Sequence, residues 1–253
     1  MAQVIDGRVV LVTGGARGLG RGLVEAFAGA GDTVVACGRN QPSADTLAAS
    51  FFQCDVRDPD QVASLMDSLV HEHGRLDVVV NNAGGTPYAP ANRMSPRLFE
   101  KVVALNLLAP FYVSQQANQV MQSQDEGGVI VNIGSTVATR PSVDVSAYVA
   151  SKSGLIGLTR SLAIEWAPKV RVNLVSPGLL RTELLEEYYG QDVPKVEATI
   201  PAGRFATPAD VAAVCLMVAS KEAGYVTGAE LVVDGGGEIP AWVNAVVRPA
   251  PDL

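Results

Sequence analysis

The sequence predicts a single-domain α/β fold, a doubly wound and mostly parallel sheet with helices on both faces. Three observations carry that prediction. Short Val-rich runs alternate with longer amphipathic stretches along the 253 residues, the pattern of strands covered on both sides by crossover helices. The first of these runs opens into a glycine-rich loop followed by a helix, the start of a βαβ unit. The composition is 48% hydrophobic and 18% charged, with a mean hydropathy of +0.21, which suits one large core.

In chain order, the expected strands are Val9–Thr13, Thr33–Cys37, Ser50–Cys54, Leu76–Asn81, Gly128–Gly134, Val170–Ser176 and Glu230–Val233. Helices are expected near 18–30, 58–73, 95–122, 147–167 and 207–220, where apolar residues recur at helical spacing. Right-handed crossovers then place helices on both faces of about seven strands. Two stretches rich in turn residues, Gly84–Pro96 and Gly178–Arg204, read as irregular. Within the second, residues 183–203 read as a lid over substrate. The domain is expected to span 1–237, with a proline-containing tail over 238–253.

Charge and residue usage exclude several functions. The net charge is -7 with no basic run, so nucleic acid is not an expected partner. Only His71 and His73 are present, which gives no basis for a histidine metal site or a Ser-His-Asp triad. Cys37, Cys54 and Cys215 are odd in number and lack Cys-x-x-Cys spacing; they read as buried free thiols in a reducing compartment. No signal peptide is visible, and no apolar stretch reaches the roughly 18 residues of a membrane span. A cytoplasmic protein is the expectation.

The loop Thr13-Gly14-Gly15-Ala16-Arg17-Gly18-Leu19-Gly20 is the first functional signal. Glycines let backbone approach a pyrophosphate, and the following helix N-terminus supplies N–H groups and partial positive charge. The second signal is Tyr148, four residues before Lys152, with Ser135 upstream. Helical spacing puts the phenol and the ammonium on one face. A nearby positive charge favours phenolate, and bringing the phenol down by about three units takes roughly 4 kcal/mol. Ser135 can donate a hydrogen bond to a substrate oxygen; Thr136 offers a neighbouring hydroxyl. Taken alone, a Tyr-x-x-x-Lys pair is common by chance.

The glycine spacing Gly-x-x-x-Gly-x-Gly, together with Ser135, Tyr148 and Lys152, resembles the short-chain dehydrogenase/reductase family. Asn81-Asn82-Ala83-Gly84, Asn106, Pro177-Gly178 followed by Thr182, and Asp234-Gly235-Gly236 fit the same pattern in order. The resemblance covers roughly residues 4–237. It implies a Rossmann-type fold and hydride transfer between a nicotinamide cofactor and a carbonyl or alcohol carbon. It implies a catalytic tetrad of Asn106, Ser135, Tyr148 and Lys152, with Tyr148 as acid/base and Asn106 holding a relay water. It also implies adenine contact at Asp55-Val56, a ribose-lining and floor role for Asn81, Asn82, Ala83 and Gly84, and a carboxamide contact at Thr182. Pairing through helices 95–122 and 147–167 would make a homotetramer.

Cofactor choice follows from charge. An acidic residue at the end of the second strand selects NAD by binding the ribose 2′-hydroxyl. Here Gly38 stands in that place, Arg39 follows, and Arg17 sits in the glycine loop. Two guanidiniums without a carboxylate suit a 2′-phosphate, so NADP(H) is expected over NAD(H); the competing reading is that Arg39 is a solvated loop residue at an unselective site. Three functions stay open from sequence: a ketone reductase or alcohol dehydrogenase, a 3-oxoacyl-thioester reductase of the fatty-acid type, and a dinucleotide-binding sensor without turnover. Substrate walls are expected at Gly85–Tyr88, Val137–Asp144 and Leu179–Tyr189, where few cations and several apolar side chains favour a neutral carbonyl compound. Arg140 and Arg181 could bind a carboxylate or carrier phosphate, but the favoured reading of each is an ordinary surface arginine.

Overall fold

Seven parallel strands run in the order β3-β2-β1-β4-β5-β6-β7. The computed structural model describes residues 7–42, 47–182 and 190–239. The strands are β1 Val9–Thr13, β2 Thr33–Gly38, β3 Ser50–Gln53, β4 Val78–Asn81, β5 Gly128–Ile133, β6 Val170–Pro177 and β7 Glu230–Val233. The helices are α1 Gly18–Gly29, α2 Pro59–His73, α3 Pro96–Val103, α4 Ala109–Ser123, α5 Ser146–Glu165, α6 Val193–Glu197 and α7 Pro208–Ala219. This is the Rossmann-type architecture expected. Its order reverses between β1 and β4, which opens a crevice at the carboxyl ends of the strands.

The valines explain the sheet. Val9, Val10, Leu11 and Val12 are fully buried, and alternate residues enter opposite cores. One core packs β1, β4 and β5 against α2 and α4, while the other packs the same sheet against α1 and α7. All three cysteines are buried and free. Burial pushes Cys215 up to about 12.

Several boundaries differ from expectation for local reasons. Helix α2 starts where Asp58 caps the N–H groups of Asp60 and Gln61 and stops at left-handed Gly74. Helix α7 starts at a capping box in which Thr207 and Asp210 bond reciprocally. The single helix expected over 95–122 is divided by a π-turn at Ala104–Leu108. There the Ala109 N–H reaches the Ala104 carbonyl, five residues back. Pro110 has no N–H to give the Asn106 carbonyl, so ordinary helical bonding could not continue through that turn. The lid region carries a 3-10 turn at Gly190–Asp192 and then α6; residues 183–189 and the tail from 240 lie outside the described residues.

Candidate active site

The glycine loop joins β1 to α1 at the crevice. Gly14 and Gly18 have φ of 66° and 52°, left-handed values that side chains resist. A Cβ on Gly20 would lie 2.1 Å from the Gly14 carbonyl oxygen, so only glycine lets the first helical turn press against the loop. Arg17 caps α1 without a side-chain hydrogen bond, and no acidic residue lies in the first turn. The N–H groups of Gly18, Leu19 and Gly20 therefore have no side-chain partner and suit an anion. This cradle fits the pyrophosphate of a dinucleotide.

Asn82 fixes the neighbouring loop. Its side-chain amide donates to the Thr13 carbonyl at 2.8 Å and to the Gly14 carbonyl at 3.2 Å. The Thr13 hydroxyl accepts from the backbone N–H groups of Asn82 and Ala83, both at 3.0 Å. The sequence reading missed this role of Thr13, whose signal is a hydroxyl directly before the glycine loop. Thr182 stands beside the same loop, 3.9 Å from where a Gly18 Cβ would be. Pro177 ends β6, and the Gly178 N–H donates to the Val233 carbonyl at 3.0 Å.

At the other end of the crevice, Gly38 closes β2 and Arg39 is exposed. The Arg39 carbonyl accepts from the Gln53 amide at 2.9 Å. Arg17 and Arg39 make no ion pair among the described residues. Asp55 is engaged by Arg57, whose Nε donates at 2.9 Å; that contact holds the Asp55 carboxyl below its usual range. Val56 beside it is buried.

The four tetrad candidates converge from three elements. Ser135 follows β5, Tyr148 and Lys152 lie in the first turns of α5, and Asn106 lies in the π-turn. Lys152, 3% exposed, donates from Nζ to the Ile133 carbonyl at 2.7 Å. Its ammonium lies 5.5 Å from the Tyr148 ring centroid. The Ser135 hydroxyl accepts from the Val137 N–H at 3.4 Å and lies beside the Tyr148 phenol. Asn106 is fully buried; its amide donates to the Gly85 and Val102 carbonyls at 2.9 Å, and its Oδ1 accepts from the Gly85 N–H at 3.0 Å. A Cβ on Gly84 would lie 2.8 Å from Asn106 Oδ1 and 3.5 Å from Lys152 Nζ, so the glycine lets these groups gather.

The electrostatics correct one expectation. Lys152 does not by itself lower the phenol: burial pushes Tyr148 up, and the hydrogen bond with Ser135 pulls partly back. The ammonium meets the ring face and a main-chain carbonyl, and its own burial brings Lys152 down to about 8.

The family described as Enoyl-(Acyl carrier protein) reductase matches residues 14–238. A D-threitol dehydrogenase of Mycolicibacterium smegmatis is 38% identical over 245 residues, covering 92% of this chain and 93% of its own. The chain belongs to the short-chain dehydrogenase/reductase family. This is a family of oxidoreductases that bind nicotinamide dinucleotides. A 3-oxoacyl-[acyl-carrier-protein] reductase of Thermotoga maritima is 36% identical, covering 92% of this chain and 98% of its own. The structure of an aldohexose dehydrogenase from Thermoplasma acidophilum superposes on this short-chain dehydrogenase/reductase with a TM-score of 0.86 at 31% identity, covering 98% of each chain. No helix among the described residues is long and apolar enough to cross a membrane.

The substrate side of this short-chain dehydrogenase/reductase differs from the sequence reading at two arginines. Arg140 bonds Asp234 and lies 3.6 Å from Glu238, with its guanidinium packed where a Gly237 Cβ would be. Arg181 pairs with Glu197 at 2.6 Å. Both are occupied by carboxylates of the chain itself, which lie far away in sequence and gave no local signal. Tyr88 and Val143, named for the pocket walls, are exposed; Leu184, Leu185, Tyr188 and Tyr189 lie outside the described residues.

Proposed function

We propose that the chain is an NADP(H)-dependent oxidoreductase that interconverts a ketone and a secondary alcohol, with Tyr148 as the acid/base. The observation that carries this reading is the buried Lys152 ammonium, 5.5 Å from the Tyr148 ring centroid, with Ser135 beside the phenol. A nicotinamide dinucleotide bound there supplies hydride exchange at the substrate carbon. In reduction, Tyr148 gives its proton to the carbonyl oxygen as negative charge develops, and Ser135 donates a hydrogen bond to the same oxygen. In oxidation the phenolate takes the alcohol proton. Lys152 supplies positive charge beneath the phenol. Asn106 anchors the 85 loop and supports the relay assigned to it.

Gly14, Arg17, Gly18, Leu19 and Gly20 would hold the pyrophosphate. Asp55 and Val56 would flank the adenine; Asn82, Ala83 and Gly84 the ribose; and Pro177, Gly178 and Thr182 the nicotinamide. The two uncommitted guanidiniums of Arg17 and Arg39 support a 2′-phosphate. A Gly38 Cβ would meet only the Phe51 ring, at 3.4 Å, so an acidic side chain fits there. The assembly in this reading is a homotetramer, supported by exposed Phe99, Leu108 and Ile164 on the helices named for pairing, and light scattering tests it. The three buried thiols support a reducing, cytoplasmic setting.

A second reading, reduction of a 3-oxoacyl thioester, draws support from the Thermotoga maritima relative. The engaged state of Arg140 and Arg181 speaks against it, because neither is available to an acidic carrier. The test is turnover with NADPH and NADH on ketones and on a 3-oxoacyl thioester, in wild type, Tyr148→Phe and Gly38→Asp. Tyr148→Phe should lose about 10²–10⁴-fold in kcat while still binding dinucleotide. Gly38→Asp should shift preference toward NADH. Full activity in Tyr148→Phe would refute the mechanism, whereas dinucleotide binding with no turnover in wild type would leave the sensor reading.

A further inference from the structure

We propose that Asp144 is a specificity-determining residue that accepts a hydrogen bond from a hydroxyl adjacent to the reacting carbon, so that the preferred substrate is a vicinal diol, polyol or sugar. This rests on the oxidoreductase reading above. Asp144 has a φ of 62° and is the only non-glycine with positive φ among the described residues. Aspartate tolerates that region better than most residues, yet the conformation persists only where the surroundings hold it. Here the Asp144 carbonyl accepts the Ala89 N–H at 2.8 Å, which ties the loop before α5 to the 85–94 segment. Asp144 thus stands where the two loops flanking the candidate acid/base meet, four residues before Tyr148.

Its carboxylate is exposed and has no hydrogen bond or ion pair among the described residues. That separates it from Asp55, Asp77, Asp210 and Asp234, each bonded to an arginine. The neighbouring Arg140, which might have neutralised it, is spent on Asp234. An unpaired carboxylate is an acceptor only and repels other anions, so it suits a neutral molecule rich in hydroxyl donors. The names of two similar proteins, a D-threitol dehydrogenase and an aldohexose dehydrogenase, denote substrates of that class.

The experiment compares oxidation of 2,3-butanediol and threitol with that of 2-butanol, in wild type, Asp144→Asn, Asp144→Ala and Asp144→Gly. Wild type should favour the hydroxylated compounds. In Asp144→Ala, kcat/KM for diol and polyol should fall on the order of ten- to a hundredfold further than for 2-butanol. Asp144→Asn, which keeps an acceptor oxygen, should recover part of that selectivity. Asp144→Gly relieves the left-handed φ, so it should keep its Tm yet lose selectivity as Asp144→Ala does, which separates recognition from folding. An equal fall on all alcohols, or an unchanged ratio, would overturn the role of Asp144 alone. A wild type that turns over none of the alcohols, nor the ketones above, would overturn the oxidoreductase reading beneath it.

Discussion

The Lys152 ammonium donates to the Ile133 carbonyl at 2.7 Å and makes no ion pair with a carboxylate among the described residues. A main-chain carbonyl offsets only part of the cost of burying a charge. Lys152 accordingly falls from 10.5 to about 8.

That depression sets a pH dependence of stability. Between about 8 and 10.5 the unfolded chain binds more protons at this lysine than the folded one. Stability from this group therefore rises with pH across the window, and the penalty is complete below about 8. Lys152→Met should raise stability at pH 7 by about 2 kcal/mol after loss of the hydrogen bond is counted. The advantage should shrink toward pH 10.5. Tyr148 is raised and contributes with the opposite sign, so the measurement is the difference between variant and wild type in denaturant unfolding from pH 7 to 10.5. A difference independent of pH would contradict the assignment.

Ser135 pulls the Tyr148 phenol down against burial. Ser135→Ala should therefore move the rising, acidic limb of the pH–rate profile for alcohol oxidation to higher pH, because phenolate forms later. The rate at fixed pH should drop by about 10²–10³-fold, the scale of one lost hydrogen-bond donor to a developing oxyanion. A lower rate with an unmoved profile would mean that Ser135 touches substrate but not the phenol.

Arg140 joins the segment after β5 to that after β7 through Asp234, over a glycine at φ 78°. Gly237→Ala strains the backbone and would place Cβ 1.7 Å from the guanidinium, so it should destabilise by about 1–3 kcal/mol. Arg140→Ala, at a partly exposed ion pair, should cost less than about 1 kcal/mol. Both should raise KM severalfold with kcat nearly unchanged if the 137–144 segment forms the substrate wall expected of it. Steady-state kinetics beside thermal unfolding would show it; a matched fall in kcat would place Arg140 nearer the chemistry.

The sheet was legible because Val-rich runs such as Val9–Val12 and Val78–Val80 leave little alternative to strands buried on two faces. The glycine cradle was legible because Gly14, Gly18 and Gly20 are needed for backbone approach, which no other residue permits. The division of the helix at Ala104–Leu108 had a local signal in Pro110 that the periodicity overrode, while the reach of the Asn106 side chain to Gly85 across the fold left none. The pairing of Arg140 with Asp234 spans 94 positions and left no local signal in the sequence. The phenol's response was misjudged because helical spacing gives the neighbour of Tyr148 but not the desolvation that Lys152 and Tyr148 both suffer.

Arg8, at the entrance to β1, donates to the Ala219 carbonyl at the end of α7, 211 positions along the chain. Gly22 in α1 has no room for a side chain because Pro208, the first residue of α7, lies against it. The helix that follows the phosphate loop is thus seated on α7, far along the chain. During synthesis the N-terminal strands and α1 must wait, with one face open, until α7 is available. Closure of so long a loop comes late and is slow. A truncation ahead of residue 208 would leave α1 without its seat, so the nucleotide half of this molecule is not a unit that folds in advance of the rest.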